Sequence, residues 1–442
     1  MKTKVMHLFL ICLFLFLIIV NSQNILLAQE SDEDSIFDES QFDQTIDESS
    51  KNAAKMQILL GGTLQFSSYW MVPEQFDQYT NFLAFNGIVF LSLLYEPYAK
   101  FFVSESFSHS MVAFSDPAIP ASSPFLSLTE LNNSFNLLEI FFDFSFKNAV
   151  FFRIGKQVIH WGAANIWTPV DFINFAKYNP FSDIDSREGK PGIRIHIPIK
   201  QFNFFAFFDF NNTFPNTDTI SNYLDATSLA LRADYTIGDF ELALSSYFSK
   251  GQASIFGFDL SGYLLGFDIV AEASFSLEGY TPKVTDIVFV PAVTPVVSYT
   301  EDPVFSTTIE LTKTFGENKD YSLMVAFFYN SDGYQLSTSE DETYYQLALS
   351  SGIGSQLYYG QYYIFTRLSK DNFLTNFMSI SFMFMMNITD ESYRLTLTHS
   401  LSIPSVLPFS YSISFFGGED LREFTLTGAN SWIFTLSTSI SF

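Results

Sequence analysis

Ser431-Trp432-Ile433-Phe434-Thr435-Leu436-Ser437-Thr438-Ser439-Ile440-Ser441-Phe442 decides how the rest of the chain is read. Five of its six even positions are apolar, and only Ile433 among its six odd positions is. An alternation of period two places the two sets on opposite faces of an extended strand. One face is rich in aromatic residues, and the other is small and hydroxylated. A strand of this kind either covers a soluble core or stands between lipid and water, and the remainder of the chain must decide between them.

The same parity recurs upstream. Leu138, Ile140, Phe142, Phe144 and Phe146 share one face, against Glu139, Phe141, Asp143, Ser145 and Lys147. Ile193, Ile195, Ile197 and Ile199 oppose Arg194 and His196, and Leu229, Leu231 and Tyr235 oppose Ser228, Arg232 and Asp234. Phe202, Phe204, Phe208 and Phe210 oppose Asn203 and Asp209, while Phe267, Ile269 and Phe275 oppose Asp268, Glu272 and Ser274. Tyr393, Leu395, Leu397 and Leu401 oppose Arg394, Thr396, Thr398 and Ser400. Apolar residues do not recur at three and four, so helices are the wrong reading. Charges confined to one face and Phe on the other fit strands with lipid outside and water inside. A β-helix or a soluble sandwich would leave that segregation unexplained.

Composition agrees. The chain has 54 Phe and 22 Tyr, yet 16% of its residues are charged. The net charge of −25 excludes a basic face, and with it nucleic acid as a partner. The N-terminus reads as a secretory signal: Lys2 and Lys4 precede an apolar run of thirteen residues from Leu8 to Val20. A spanning helix needs about 20 residues, so cleavage after Ser22, or as late as Ala28, is expected. Removal would take out Cys12, leaving no cysteine for disulfides, thiolate metal sites or nucleophiles. Residues 23–55 are dense in Asp and Glu and read as a disordered periplasmic leader, or as a helix that docks on a partner through Ile36, Phe37, Phe42 and Ile46. No later window carries the roughly 18 continuous apolar residues of a membrane helix. An exported, hydrophobic chain without such helices points to a closed barrel.

From residue 56 to residue 442 the spacing predicts an antiparallel up-and-down transmembrane β-barrel of about 18 strands, in the range 16–20. The uncertainty lies in 339–368 and 404–428, which divide into strands in more than one way. Connectors alternate: Lys147-Asn148 and Lys200-Gln201 are short, whereas 107–133, 162–190, 211–226, 278–303 and 331–343 are long. Short turns at one end and long loops at the other match the two sides of such barrels, and barrels of this size leave an aqueous lumen.

Two resemblances follow from these residues. The 431–442 segment resembles the C-terminal strand of bacterial outer-membrane barrels, which implies that Phe442 is the assembly signal read by the barrel-insertion machinery. Arg153-x-Gly155-x-Gln157, Trp161-Gly162 and Pro169-x-Asp171 resemble the signature of uncharacterised, porin-like barrels of Gram-negative type, often encoded beside RND-family exporters. The chain departs from that pattern at Thr168, where the family tends to have Asn, and at Ala163-Ala164, where an acidic residue is usual. The resemblance covers some 40 residues plus the overall architecture. It implies the outer membrane of a diderm bacterium, outer-membrane lipid as surroundings, and one possible role with an exporter.

By parity the lumen receives Arg153, Gln157, Trp161, Arg194, Arg232 and Arg394, set against Glu139, Asp143, Asp209, Asp234, Asp268, Glu272 and Glu310. Opposed charges across a constriction would select solutes by charge and size; pairing simply for neutralisation is the alternative. Gly155 is expected where something packs closely inside, and 162–190 is long enough to fold back into the opening. The widely spaced His109, His160, His196 and His399 form no metal or triad pattern, so neither an enzyme nor a cofactor is expected. The expected function is a porin-like channel for passive passage of small solutes. A barrel for hydrophobic or lipid-like cargo, favoured by inward Phe141, Phe205, Phe207 and Trp161, and a structural or adhesive surface barrel are the rivals.

Overall fold

The computed structural model describes residues 55–442 except 74–78, 97–98, 116–133, 174–186, 211–226, 251, 289–293, 355–357, 405 and 426–430. The expected signal peptide and all of the acidic leader but Lys55 lie outside the described residues. Twenty strands follow in order. The first five are β1 (Lys55–Val72), β2 (Thr80–Glu96), β3 (Ala99–Ser115), β4 (Ser134–Phe146) and β5 (Val150–Gln157). Next come β6 (Lys190–Ile199), β7 (Phe202–Asp209), β8 (Ser228–Ile237), β9 (Phe240–Phe248), β10 (Ile255–Leu264) and β11 (Phe267–Ser276). A hairpin, β12 (Lys283–Val288) and β13 (Thr294–Ser298), interrupts the series before β14 (Val304–Phe315) and β15 (Tyr321–Asn330). The last five are β16 (Tyr362–Lys370), β17 (Met378–Asn387), β18 (Ser392–Leu401), β19 (Phe409–Gly417) and β20 (Ser431–Ser441).

Eighteen strands form one sheet, with β12–β13 as a separate pair. Each barrel strand pairs antiparallel with the next, β11 pairs with β14 across the hairpin, and β20 returns to β1. The seam runs from Thr63↔Ser441 to Val72↔Trp432, and Phe442 extends it by exchanging two 3.0 Å backbone hydrogen bonds with Gly62. Closure leaves no sheet edge, which is what a backbone in hydrocarbon requires.

Parity decides which face is which. Ile140, Phe142, Phe204, Phe256, Phe305 and Phe327 are exposed on the outside, whereas Glu139, Asp143, Glu272 and Glu310 on the same or neighbouring strands are buried inside. An apolar exterior of this extent suits hydrocarbon. The two- and three-residue turns 147–149, 200–201, 238–239 and 265–266 lie at one end; the other end carries the long loops and the four-residue connection 388–391. Leu265 and Gly266, with φ of 55° and 85°, make the mirror-image turn that matches strand twist between β10 and β11.

One element escaped the sequence reading. Part of 339–368 is neither strand nor loop but helix α1 (Ser339–Ser351). Thr338 and Asp341 form a capping box at its start, and Gly352 ends it at φ 65°. Tyr345, Ala348 and Leu349 seat it on Tyr334, Tyr359 and Val284 of the hairpin.

Candidate functional site: the lumen and its infolded segment

The lumen is shaped by what happens after β5. Gly155 sits at φ 134°, and a Cβ there would come 2.2 Å from Ile140 O and 2.8 Å from Phe141 Cα. The glycine is therefore required by the backbone of β4, not by a group packed in the lumen as the sequence reading expected. Gln157 is fully buried at the end of β5, and the chain then turns inward. Val158 N–H donates to Glu139 Oε1 at 2.8 Å, fixing the point of entry.

Beyond it, residues 158–173 cross the interior and are held by two kinds of anchor. The first is a pair of carboxylates on the opposite wall. Glu272 of β11 accepts from Ala164 N–H at 2.7 Å and Val170 N–H at 3.3 Å. Glu310 of β14 accepts from Asn165 N–H at 2.9 and 3.0 Å, Ile166 N–H at 2.8 Å and the Asn165 amide at 3.0 Å. A buried N–H left without an acceptor costs about 1–3 kcal/mol, so these two side chains fix where the backbone of 164–170 meets the wall. Gly162, at φ 107°, lets the chain approach: a Cβ would stand 2.5 Å from Glu272 Oε1.

The second anchor is apolar. Trp161, Val170, Phe172 and Ile173 pack on Phe207, Ala230, Tyr247 and Ile255 of the wall. Ile166 and Trp167 pack on Met324, Ala326, Phe328, Tyr363 and Phe365. Trp167 is 0% exposed and stacks on Phe328 with ring centroids 5.6 Å apart. The fully buried Ala230 and Ala326 are small where the segment needs room. Trp161 thus faces inward because this segment carries it there; β5 has already ended, and strand parity does not reach it.

The other candidate residues are mostly paired. Arg153 donates to both oxygens of Asp143, at 2.7 and 3.0 Å, and its guanidinium lies 3.9 Å from the Phe141 ring centroid. Arg232 donates to Asp259 at 2.6 and 2.9 Å, with Nε 2.6 Å from Asp234 Oδ1. Asp209 is buried and accepts from Tyr247 OH at 3.4 Å. Arg194 stands directly across from Arg153 in the β5–β6 register. Arg394 donates to Thr396 and to Ser414, both at 3.2 Å. Glu272 and Glu310 face inward but are each only 1% exposed, because the infolded segment covers them. Arg153 and Arg232 therefore follow the pairing alternative, whereas Arg394 lines the open cavity. Nearest neighbours satisfy the paired charges first, since separated charges in a narrow lumen cost more to leave bare.

At the wide-loop end a second buried cluster ties loop 418–425 to α1. Tyr363 OH and Asn387 Nδ2 donate to Glu423 Oε2 at 2.5 and 2.7 Å, and Tyr345 OH donates to Asp390 Oδ2 at 2.5 Å. Glu423 N–H reaches the same Asp390 oxygen at 2.9 Å. Burial, and then the Asp390 charge, push the Glu423 carboxyl up from 4.5 to about 8. The folded loop therefore holds a proton that the opened loop releases. Its stability is full below the opened-state value of 4.5 and is lost as pH rises through about 8. Corrected for intrinsic rates, amide exchange across 419–425 is expected to slow about tenfold or more from pH 9 to pH 6. Glu423→Gln is expected to flatten that dependence; an unchanged pH profile in the variant would assign the effect elsewhere.

The geometry defines a class of molecule: an 18-stranded transmembrane barrel whose lumen is narrowed by an infolded segment. No protein-family model matches the chain, and no curated protein sequence matches it. Solved structures do. The outer membrane protein OpdK from Pseudomonas aeruginosa is 10% identical with a TM-score of 0.51, over 87% of this chain and 98% of that one. OccK8 (OprE) of Pseudomonas aeruginosa is 11% identical with a TM-score of 0.50, over the same 87% and 98%. At that identity the likeness concerns the fold.

Proposed function

We propose that this chain is an outer-membrane, porin-like channel for passive diffusion of small solutes. The observation that supports the reading most is the coexistence of two features inside one closed barrel. Residues 158–173 narrow the lumen on one side, and against the wall of β16 to β20 and β1 to β4 a cavity of about 690 Å3 remains, lined almost wholly by polar side chains. Water-filled space within a constricted lumen is what filtered diffusion needs. The structural likeness to outer-membrane proteins agrees with this placement.

The rival reading, lipid-like cargo handled with an RND-type exporter, drew on inward aromatics. Those residues are engaged. Phe207 and Trp161 bury the infolded segment, Phe141 stacks on Phe102 at 5.1 Å, and Phe205 stacks on His196 at 4.3 Å. An apolar hollow of about 520 Å3 does remain beside Phe205, but Phe204, Leu231, Leu244 and Phe256, which line most of it, are exposed on the outer face of the wall. Reconstituted in planar bilayers, the whole protein is expected to give stepwise, ohmic conductance; a folded barrel that stays silent would overturn the proposal.

Assembly by the barrel-insertion machinery belongs to the same proposal. The Phe442 side chain is half-exposed beside the seam, with its backbone paired to Gly62. Phe442→Ala keeps those backbone bonds and removes only the ring. It is expected to lower the yield of inserted barrel while leaving the conductance of inserted molecules as it was. Normal insertion would remove the ring from any recognition role.

A further inference from the structure

The two walls of the lumen differ in chemistry. The carboxylates Glu139, Asp143, Asp209, Asp259, Glu272 and Glu310 all stand on β4 to β14, under or beside the infolded segment. The cavity of about 690 Å3 lies against the other wall, which β16 to β20 and β1 to β4 supply. Thirteen Ser and Thr line it, with Gln65, Asn86 and Asn136; its charged residues are Arg367 and Arg394, and no Asp, Glu or Lys is among the described lining residues. Among the described residues, the acids thus stand away from this cavity.

The hydroxyls are ordered. Thr398 pairs with Ser412, and Ser412 with Thr435; Ser400 pairs with Ser410, Ser410 with Ser437, and Ser437 with Ser67. Rows of hydroxyls therefore run around the wall from β18 through β20 to β1. Strand geometry sets a grid of about 4.8 Å across strands and about 6.7 Å along them. Each hydroxyl can donate and accept. A solute that carries its own hydroxyls can exchange water for this wall without stripping a charge of its hydration, and can be handed from one row to the next. A cation finds no carboxylate there. For an anion, Arg394 is already turned to Thr396 and Ser414 and lies 5.1 Å from the Phe416 ring, which leaves Arg367 as a single guanidinium among thirteen hydroxyls.

We infer that the open passage is built for neutral, polyhydroxylated solutes of mono- to disaccharide size, moving along the hydroxyl rows of β18, β19, β20 and β1. The inference rests on the channel reading above and adds a substrate class to it. A volume of about 690 Å3 lies in the range, about 300–1,000 Å3, that holds a small molecule whole.

The test uses the whole protein in liposomes. Swelling rates are compared for a hexose, a disaccharide, an oligo(ethylene glycol) ether matched to each in size, an amino sugar and a sugar acid. The neutral sugars are expected to cross about tenfold or more faster than their matched ethers, the advantage of two or three hydrogen-bonding hydroxyls. In Thr398→Val/Ser412→Ala/Thr435→Val the sugar-to-ether ratio is expected to fall towards one. Added disaccharide should also reduce the ion current of the unaltered protein in planar bilayers, a readout that does not depend on the variant folding. Rates ordered by size alone, a sugar acid faster than its parent sugar, or a ratio untouched by a folded triple variant would each overturn the inference and leave the channel reading standing. A folded barrel that passes no solute at all would overturn both.

Discussion

Replacing Glu272 and Glu310 together by alanine is expected to raise single-channel conductance severalfold and to make the current noisy. The two carboxylates accept the backbone N–H groups of Ala164, Asn165, Ile166 and Val170, and Tyr358 OH adds one bond to Ile166 O at 3.2 Å. Removing the carboxylates leaves four N–H groups without acceptors, and the three that are buried, on Ala164, Ile166 and Val170, cost about 1–3 kcal/mol each. The apolar anchors around Trp161 and Trp167 then have to hold a segment whose backbone gains by meeting water. Water can enter from the cavity, so the segment is expected to leave the wall and sample the open lumen. Bilayer recordings of each single variant and of the pair distinguish the anchors. If the pair conducts like the unaltered protein, the aromatic packing alone sets the constriction.

The second large effect concerns stability, not flux. Arg232 is 9% exposed and bridges Asp234 on its own strand to Asp259 on β10, skipping β9. Arg232→Met strips two buried carboxylates of their cation and is expected to cost about 3–5 kcal/mol, read from denaturant unfolding of the folded barrel. Adding Asp234→Leu and Asp259→Leu to Arg232→Met is expected to restore most of it, because a well-packed apolar set avoids the desolvation cost of the ions. Ion selectivity is expected to change little in either variant, since the guanidinium does not face the open cavity. A marked shift in reversal potential would place Arg232 in the conduction path instead.

How much of this could be read from the chain follows from the range of each interaction. Parity is local, so the outward Phe142 and Phe204 and the inward Glu139 and Arg232 were legible strand by strand. Asp143 and Arg153 were nearly legible as a pair: they are equidistant from Asn148 in a tight turn, and the hairpin register brings them together. Asp259 was not, because a whole strand, β9, separates it from Arg232 in sequence. The partners of Glu272 and Glu310 carried little side-chain signal, being main-chain amides and the one Asn165 side chain of a segment over a hundred residues away. Helix α1 did carry a signal, the Thr338–Asp341 capping box with Gly352 behind it, but the surrounding run was divided by strand rules. The hydroxyl wall was visible only as polar alternation on single strands; its meaning appears once four strands stand side by side.

The seam between β1 and β20 carries a further consequence. The first and last described segments of the chain are neighbours in space, so the contact that seals the cylinder has nearly the greatest separation along the polypeptide that the chain allows. Loop-closure entropy is paid in full before that contact returns anything. Until it forms, two unpaired rims invite strands from other molecules. Productive maturation is then a race between sealing and aggregation, decided by how quickly β1 and β20 find each other.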